Sequence, residues 1–225
     1  ISFIAIQLRS VQENNVVLDM QKKIVSSAGL DEVYGSVENA MSNIKTLIID
    51  LDRGEIVDIN PDTYELSKEL REDGKYKFLS AEEDVASIKK REKYSKVYIE
   101  YKDNEINTLI LPVRGYGLWG ILYGYLAIEG DFNTVAGLEF YEHKETPGLG
   151  AEIDNPKWKA LWKGKKIYQE NGEVSLKVIK GSVMKSSDNF SYEIDGLSGA
   201  TLTCNGVSNL IAYWMGNDGF LNFIN

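Results

Sequence analysis

The sequence is poor in the side chains that bind metals or exchange disulfides: its 225 residues include one cysteine, Cys204, and one histidine, His143. A lone cysteine forms no internal disulfide and excludes cysteine-based zinc or iron–sulfur ligation within the chain, and a single histidine excludes a histidine-rich metal site. Cysteine usage therefore fixes no redox compartment. Also missing is an apolar run of the roughly 20 residues that span a bilayer. The opening ISFIAI is only a stub, read either as the trailing edge of a removed membrane anchor or as a few residues packed as a first strand or turn. Basic runs are short, the longest lying around Lys89 to Arg91, and 34 acidic against 25 basic residues give a net charge of −9. That balance lacks the counterion-releasing footprint of a nucleic-acid binder, so no nucleic-acid partner is expected. No internal repeat, low-complexity tract or Pro/Ser-rich linker divides the chain.

What is present is enough apolar material, 43% of residues, to bury a sizeable core as one large domain or two small ones. Val17, Met20, Ile24 and Ala28 recur at three- and four-residue spacing and stop at Gly29, which predicts a helix closed by a left-handed glycine. A second helical pattern runs from Asp31 to about Ile44. Residues 46–59, TLIIDLDRGEIVDI, place two β-rich runs around Asp52, Arg53 and Gly54 and predict a hairpin. Pro61 to about Arg71 reads as a short helix. Ser80 and Glu83 form a capping box that predicts another, with its charged run EEDVASIKKREK on a solvated face. KVYIEY, NTLILPV, LWGILYGYLAIEG and NTVAGLEFYEH are β-branched and aromatic runs broken by Gly, Asp and Asn, which predicts a mostly antiparallel sheet.

Asn155 and Pro156 start a helix with Trp158, Leu161 and Trp162 on its apolar stripe. GEVSLKVIKG (172–181) reads as a strand, and Val207, Leu210, Ile211, Trp214 and Met215 form a last helix stopped by Gly216. The expected fold class is α+β, a mostly antiparallel twisted sheet flanked by helices. Its expected parts are an N-terminal helical segment (1–30) behind a missing membrane anchor, a mixed α/β portion (31–100), and a C-terminal domain (101–225).

Between the last strand and the last helix lies DGLSGATLTCN (195–205), with hydroxyls at Ser198, Thr201 and Thr203 and glycines at Gly196 and Gly199. A helix start carries unpaired N–H groups and partial positive charge, a natural seat for phosphate, and glycines let backbone approach an anion. Thr203, just ahead of the helical periodicity, is the expected cap. Ser198 and Thr201 are then free to hydrogen-bond a phosphate or to be esterified by one. The same composition also serves a turn that merely caps a helix, and turn chemistry leaves both readings open. The turn matches neither GxxxxGK[ST] nor GxGxxG.

DGLSGATLT resembles the flavinylation motif of the FMN-binding domain family, in which a threonine of SGAT is joined to FMN through a phosphoester. Residues 117–143, ETPGLGAEIDNPKWKALWKGKK (145–166) and IKGS (179–182) extend the resemblance to the C-subunit family of the sodium-translocating NADH:quinone reductases. The match is close over the C-terminal half and holds by general layout before it. The G-subunit family of Rnf electron-transport complexes shares SGAT and ETPGLG, but the GLWG and YGYLA block and the NPKW helix fit the reductase family better.

By that resemblance, 101–225 is the FMN-binding domain and Thr201 is the attachment residue. Ser198, Gly199 and Ala200 line the phosphate, with Leu202 in the same cofactor-binding set. Asp195 shapes the motif for a separate flavin transferase, which takes FMN from FAD and needs a divalent metal; the chain itself is expected to hold none. Glu145, Thr146 and Leu149 are implied to lie near the isoalloxazine, with Trp119 and Lys180 as ring or phosphate neighbours. His143 is expected to be structural or at the surface, and Cys204 to be a small packed residue.

The implied function is electron transfer, with no catalytic residue and no NADH fingerprint of its own, within a membrane reductase whose other subunits are its partners. The resemblance places that complex in the bacterial inner membrane. The soluble domain would lie on the periplasmic side, tethered by a single N-terminal helix absent from this sequence. The Rnf flavoprotein and a non-redox extracytoplasmic interaction module stand as alternatives, while a phosphate-ester hydrolase lacks the carboxylate and histidine arrangement that it needs.

Overall fold

The computed structural model describes residues 2–225, with side chains described from Asn15 onward. The chain opens on α1 (Ser2–Ser27), closed by Gly29 at φ 65° as its apolar spacing predicts. ISFIAI falls on the start of this helix; Ile1 and the packing of the stub lie outside the described residues. Residues 31–44 are not one helix but two short ones, α2 (Leu30–Tyr34) and α3 (Val37–Ser42). Gly35 at φ 75° ends the first, and Ser36 caps the second by accepting from Asn39 N at 3.1 Å.

The expected hairpin forms from β1 (Ile44–Asp50) and β2 (Glu55–Val57), with Gly54 at φ 69° in its turn. Pro61–Thr63 is a 3-10 turn and α4 (Leu66–Glu69) a single helical turn, so 61–71 holds less helix than its pattern implies. After β3 (Tyr76–Phe78) the capping box is made, Glu83 Oε2 accepting from Ser80 N at 2.8 Å and Ser80 Oγ from Glu83 N at 3.3 Å. No helix follows it. The Asp84 carboxylate instead takes the N–H groups of Ile88 (2.7 Å) and Lys89 (2.8 Å), and the chain turns into β4 (Lys90–Glu92). The charged run is therefore not simply a solvated face: Arg91 and Glu92 are buried.

β5 (Tyr94–Lys102), β6 (Glu105–Tyr116), β7 (Ile121–Glu129) and β8 (Val135–Glu142) complete a six-stranded sheet in the order β2-β1-β5-β6-β7-β8, antiparallel throughout. Its central strands are apolar along their length because both faces are covered. Leu109, Leu111, Leu122 and Leu126 face one core, while Ile110, Tyr125 and Ala127 face a second core shared with α1–α3. After α5 (Pro156–Lys159) come the two-residue strands β9 (Lys177–Val178) and β10 (Glu193–Ile194), which pair in parallel. The strand expected over 172–181 is thus only β9. The chain ends with α6 (Thr201–Trp214) and α7 (Leu221–Ile224).

Helix α6 lies on the first core, along β6. The approach is close enough that a Cβ on Gly115 would stand 2.8 Å from Leu210 Cβ, and Trp214 Nε1 donates to the Arg114 carbonyl at 2.7 Å. This packing fixes the N-terminal end of α6, where the candidate site is built.

Candidate functional site

The strand-to-helix turn owes its shape to two glycines. At Gly196 a Cβ would fall 2.3 Å from the Ile179 carbonyl oxygen, so only glycine lets 195–199 run against 179–182; Gly196 N donates to the Gly181 carbonyl at 2.8 Å. Gly199 adopts φ 71°, the left-handed region, and hands the chain to α6. Ala200 is the N-cap residue and supplies no side-chain cap; the first N–H to bond back is that of Cys204, to Ala200 O at 3.0 Å.

Thr203 is not the cap. It lies fully buried inside the first turn, and its hydroxyl donates to Glu145 Oε2. Thr201, the first helical residue, is exposed, and the backbone N–H groups of Thr201, Leu202 and Thr203 precede the first helical hydrogen bond. Four of the expected site residues, Lys180, Ser198, Gly199 and Thr201, line one cleft of about 410 Å³. Ser182 and Asn205 line it too, although neither is in the expected set. Asn205 is within reach of the sequence, since it lies one helical turn after Thr201 and shares its face.

Glu145 organises a second group. Only 5% exposed, its Oε1 accepts from Leu118 N and Trp119 N, both at 3.0 Å, and its Oε2 from Thr203. One side chain thus ties the β6–β7 loop, the ETPGLG segment and the start of α6 together. The glycines around it leave no room for anything larger, since a Cβ would come within 2.7 Å of Oε1 at Gly117 and 2.6 Å of Oε2 at Gly150. Hydrogen bonds from backbone N–H groups to such a carboxyl are among the stronger ones a protein makes, about 1.5–3 kcal/mol each.

GYGLWG (115–120) has the GxGxxG spacing, yet it closes the antiparallel β6–β7 hairpin and opens no helix, so it is no dinucleotide cradle.

The loop so held presents Trp119 at 61% exposure, and Leu202 on α6 is 58% exposed. Leu149 is also exposed and reaches the turn, its Cδ2 lying 2.9 Å from where a Cβ on Gly199 would be. Thr146 lies exposed in the ETPGLG turn, its carbonyl accepting from Leu149 N and Ala151 N at 3.1 Å each. Asp195 braces the far side of the turn: Oδ1 accepts from Val183 N at 2.7 Å and its carbonyl from Trp158 Nε1 at 2.8 Å. Ala200 is buried beneath the turn. His143 is structural, with Nδ1 accepting from Glu145 N at 3.2 Å and Nε2 2.8 Å from Asp154 Oδ2. Cys204 is buried, which pushes its thiol pKa up, and its Sγ accepts from Leu197 N.

The FMN-binding domain family matches residues 117–216, the span that holds the hairpin loop, the ETPGLG segment and the turn. The C-subunit of the Na(+)-translocating NADH-quinone reductase of Pseudomonas aeruginosa is 48% identical over 98% of this chain and 86% of its own length. The Vibrio vulnificus protein of the same name is 40% identical over 100% and 87%. Among solved structures, the fold superposes on Shewanella oneidensis NqrC with a TM-score of 0.82 at 30% identity, covering 92% of this chain and 94% of that one. The C-subunit structure from Parabacteroides distasonis gives a TM-score of 0.69 at 28% identity, covering 97% of each chain.

Proposed function

This chain belongs to the C-subunit family of the Na(+)-translocating NADH-quinone reductases, and from that premise we propose that Thr201 carries FMN through a phosphoester at its Oγ1. The supporting observation is the start of α6. Three backbone N–H groups without a side-chain cap stand beside an exposed threonine hydroxyl and a cleft that Lys180 lines. That is the donor set a phosphate diester needs, and the helix end adds partial positive charge.

In this reading Ser198, Gly199 and Ala200 shape the phosphate seat, and Asp195 holds the turn open toward the modifying enzyme. The transfer is redox-neutral: the Thr201 Oγ–P bond forms as the pyrophosphate bond of FAD breaks, AMP leaves with the bridging oxygen, and the threonine proton passes to solvent. Trp119, Leu149 and Leu202 offer apolar surface to a flat ring, while Glu145 and Thr146 keep the two loops that present them in place. Lys180 offsets phosphate charge. Bound FMN supplies a carrier of electrons, and the chain's own residues hold it.

The partners are the other subunits of the reductase and, during maturation, a flavin transferase. We place the domain on the periplasmic side of the bacterial inner membrane, held by a single membrane helix; among the described residues no helix is long and apolar enough to cross a membrane.

The test is to produce the chain with its flavin transferase and a divalent metal, denature it, and look for flavin fluorescence that stays with the polypeptide. Wild type retains it, with a mass gain of one FMN less one water, and Thr201→Ala does not. A colourless wild type, or colour retained by Thr201→Ala, sinks the reading.

A further inference from the structure

Beside the second core, a cavity of about 300 Å³ lies among β5–β8, Met20 of α1, and Tyr64 and Leu66 around the start of α4. Neither the family resemblance nor the proposed flavin seat uses it. We propose that this cavity binds a small aromatic monocarboxylate, with its ring against a wall of tyrosines and its carboxylate on the Lys96 ammonium.

The charge of the ligand follows from how the ionisable side chains of the lining are paired. Glu92 and Arg114 close on each other through two hydrogen bonds of 2.8 and 2.5 Å, and the guanidinium donates a third to the Lys90 carbonyl at 3.0 Å. Glu65 takes Lys68 at 2.8 Å. Lys96 is left over. Among the described residues its ammonium has neither an ion pair nor a hydrogen bond, and it stands 5.6 Å from the centre of the Tyr64 ring. Asp62 and Glu65 act on it only from beyond ion-pair distance, while burial disfavours its charged form. A half-buried cation that has lost water without gaining a counter-charge favours an anion that supplies one. One spare cation matches one negative charge. A dianion such as phosphate would bring a second charge with no partner, and Asp62 and Glu65 would repel it.

The shape of the ligand follows from the wall. The rings of Tyr123, Tyr141 and Tyr125 follow one another at centroid distances of 6.0 and 5.1 Å with planes tilted by 35° and 31°, and Tyr98 meets Tyr125 edge-on at 5.8 Å. A flat ring stacks on such a surface. Lys96 and Tyr98 lie two residues apart on β5, so the cation shares a face of the sheet with the rings. The volume is at the lower end for small-molecule sites, room for one substituted ring and too little for a fused three-ring system.

The site is testable without the flavin. Benzoate, and benzamide as an uncharged counterpart of the same shape, are titrated into the Thr201→Ala chain while the ring signals of ¹³C-labelled tyrosine are followed. Benzoate should give saturable shifts at Tyr98, Tyr125 and Tyr141, and benzamide should bind at least about tenfold more weakly. Lys96→Met, which keeps the stem and removes the charge, should erase that preference, and Lys96→Arg should restore most of it. Leu66→Trp, which fills the cavity from α4, should abolish binding while the remaining spectrum stays dispersed; if that variant does not fold, the Lys96→Met comparison decides alone.

No saturation up to about 10 mM benzoate overturns the proposal, as does benzamide binding as tightly as benzoate. So does phosphate that displaces benzoate at equal concentration, which would make the site a seat for any anion. Saturable shifts confined to tyrosines outside the cavity overturn it as well. Because no flavin is attached in any arm, none of these results bears on Thr201.

Discussion

The hydroxyl of Thr203 shows how much a single side chain contributes when its partner is buried. It donates to Glu145 Oε2 in a space closed by Gly117 and Gly150. Thr203→Val keeps the shape and removes the donor, leaving an acceptor short inside the protein. Urea unfolding should register a loss of about 1–3 kcal/mol for it and much less for Thr203→Ser. Sequence reasoning assigns Thr203 to the helix cap because capping is a local rule, read from the residues on either side. Its real partner is 58 positions away, and no spacing within the turn points to it. Thr201 stands out in the sequence for the opposite reason. Turn chemistry leaves its surplus hydroxyl unexplained, and the SGAT resemblance assigns it; the structure brings Lys180 to the same cleft from a segment that sequence alone cannot orient.

At the scale of elements, turns and strands are the most readable because their signals are local and repeat. The DRG hairpin and the four long strands fall where alternation and glycines put them. The helix expected after Ser80 does not form, although its cap does. Asp84 captures the N–H groups of Ile88 and Lys89, and Ser87 and Lys89 take positive φ values of 54° and 65°, which no helix accommodates. A similar carboxylate closes the β7–β8 turn. Burial opposes ionisation of Asp131, but hydrogen bonds from the Thr134 hydroxyl and from the backbone N–H groups of Thr134 and Asn133, with Lys166 beside them, hold its pKa well below the usual 3.8. A carboxylate depressed by folding stabilises the fold above its unfolded pKa and loses that contribution as the pH falls through the folded value. The urea midpoint of wild type should therefore exceed that of Asp131→Ala at pH 5, and the difference should shrink steadily below pH 4. A difference that does not shrink between pH 4 and pH 2 would count against the ionic origin.

For the molecule as a whole, the sheet divides the interior into two cores, and the Glu92–Arg114 pair joins a small strand pair to the main sheet. Glu92 comes from β4 and Arg114 from β6; both are buried, and the guanidinium also stacks over Trp214 at 5.0 Å. Removing one partner strands a charge. Arg114→Met should cost about 3–5 kcal/mol in thermal or urea unfolding, and adding Glu92→Leu should recover a large part of it. Sequence composition does not foresee this pair, because EEDVASIKKREK has the charge pattern of a surface and only the pairing of β3 with β4 turns two of its members inward. The exposed first residue of α6 has a consequence for manufacture. That helix is already seated on β6 through Leu210 and Trp214 when Thr201 faces outward. The hydroxyl is thus offered by the finished fold. If Thr201 carries the flavin as proposed, loading would be a late finishing operation on a folded stockpile, paced by the supply of the modifying enzyme and its flavin donor.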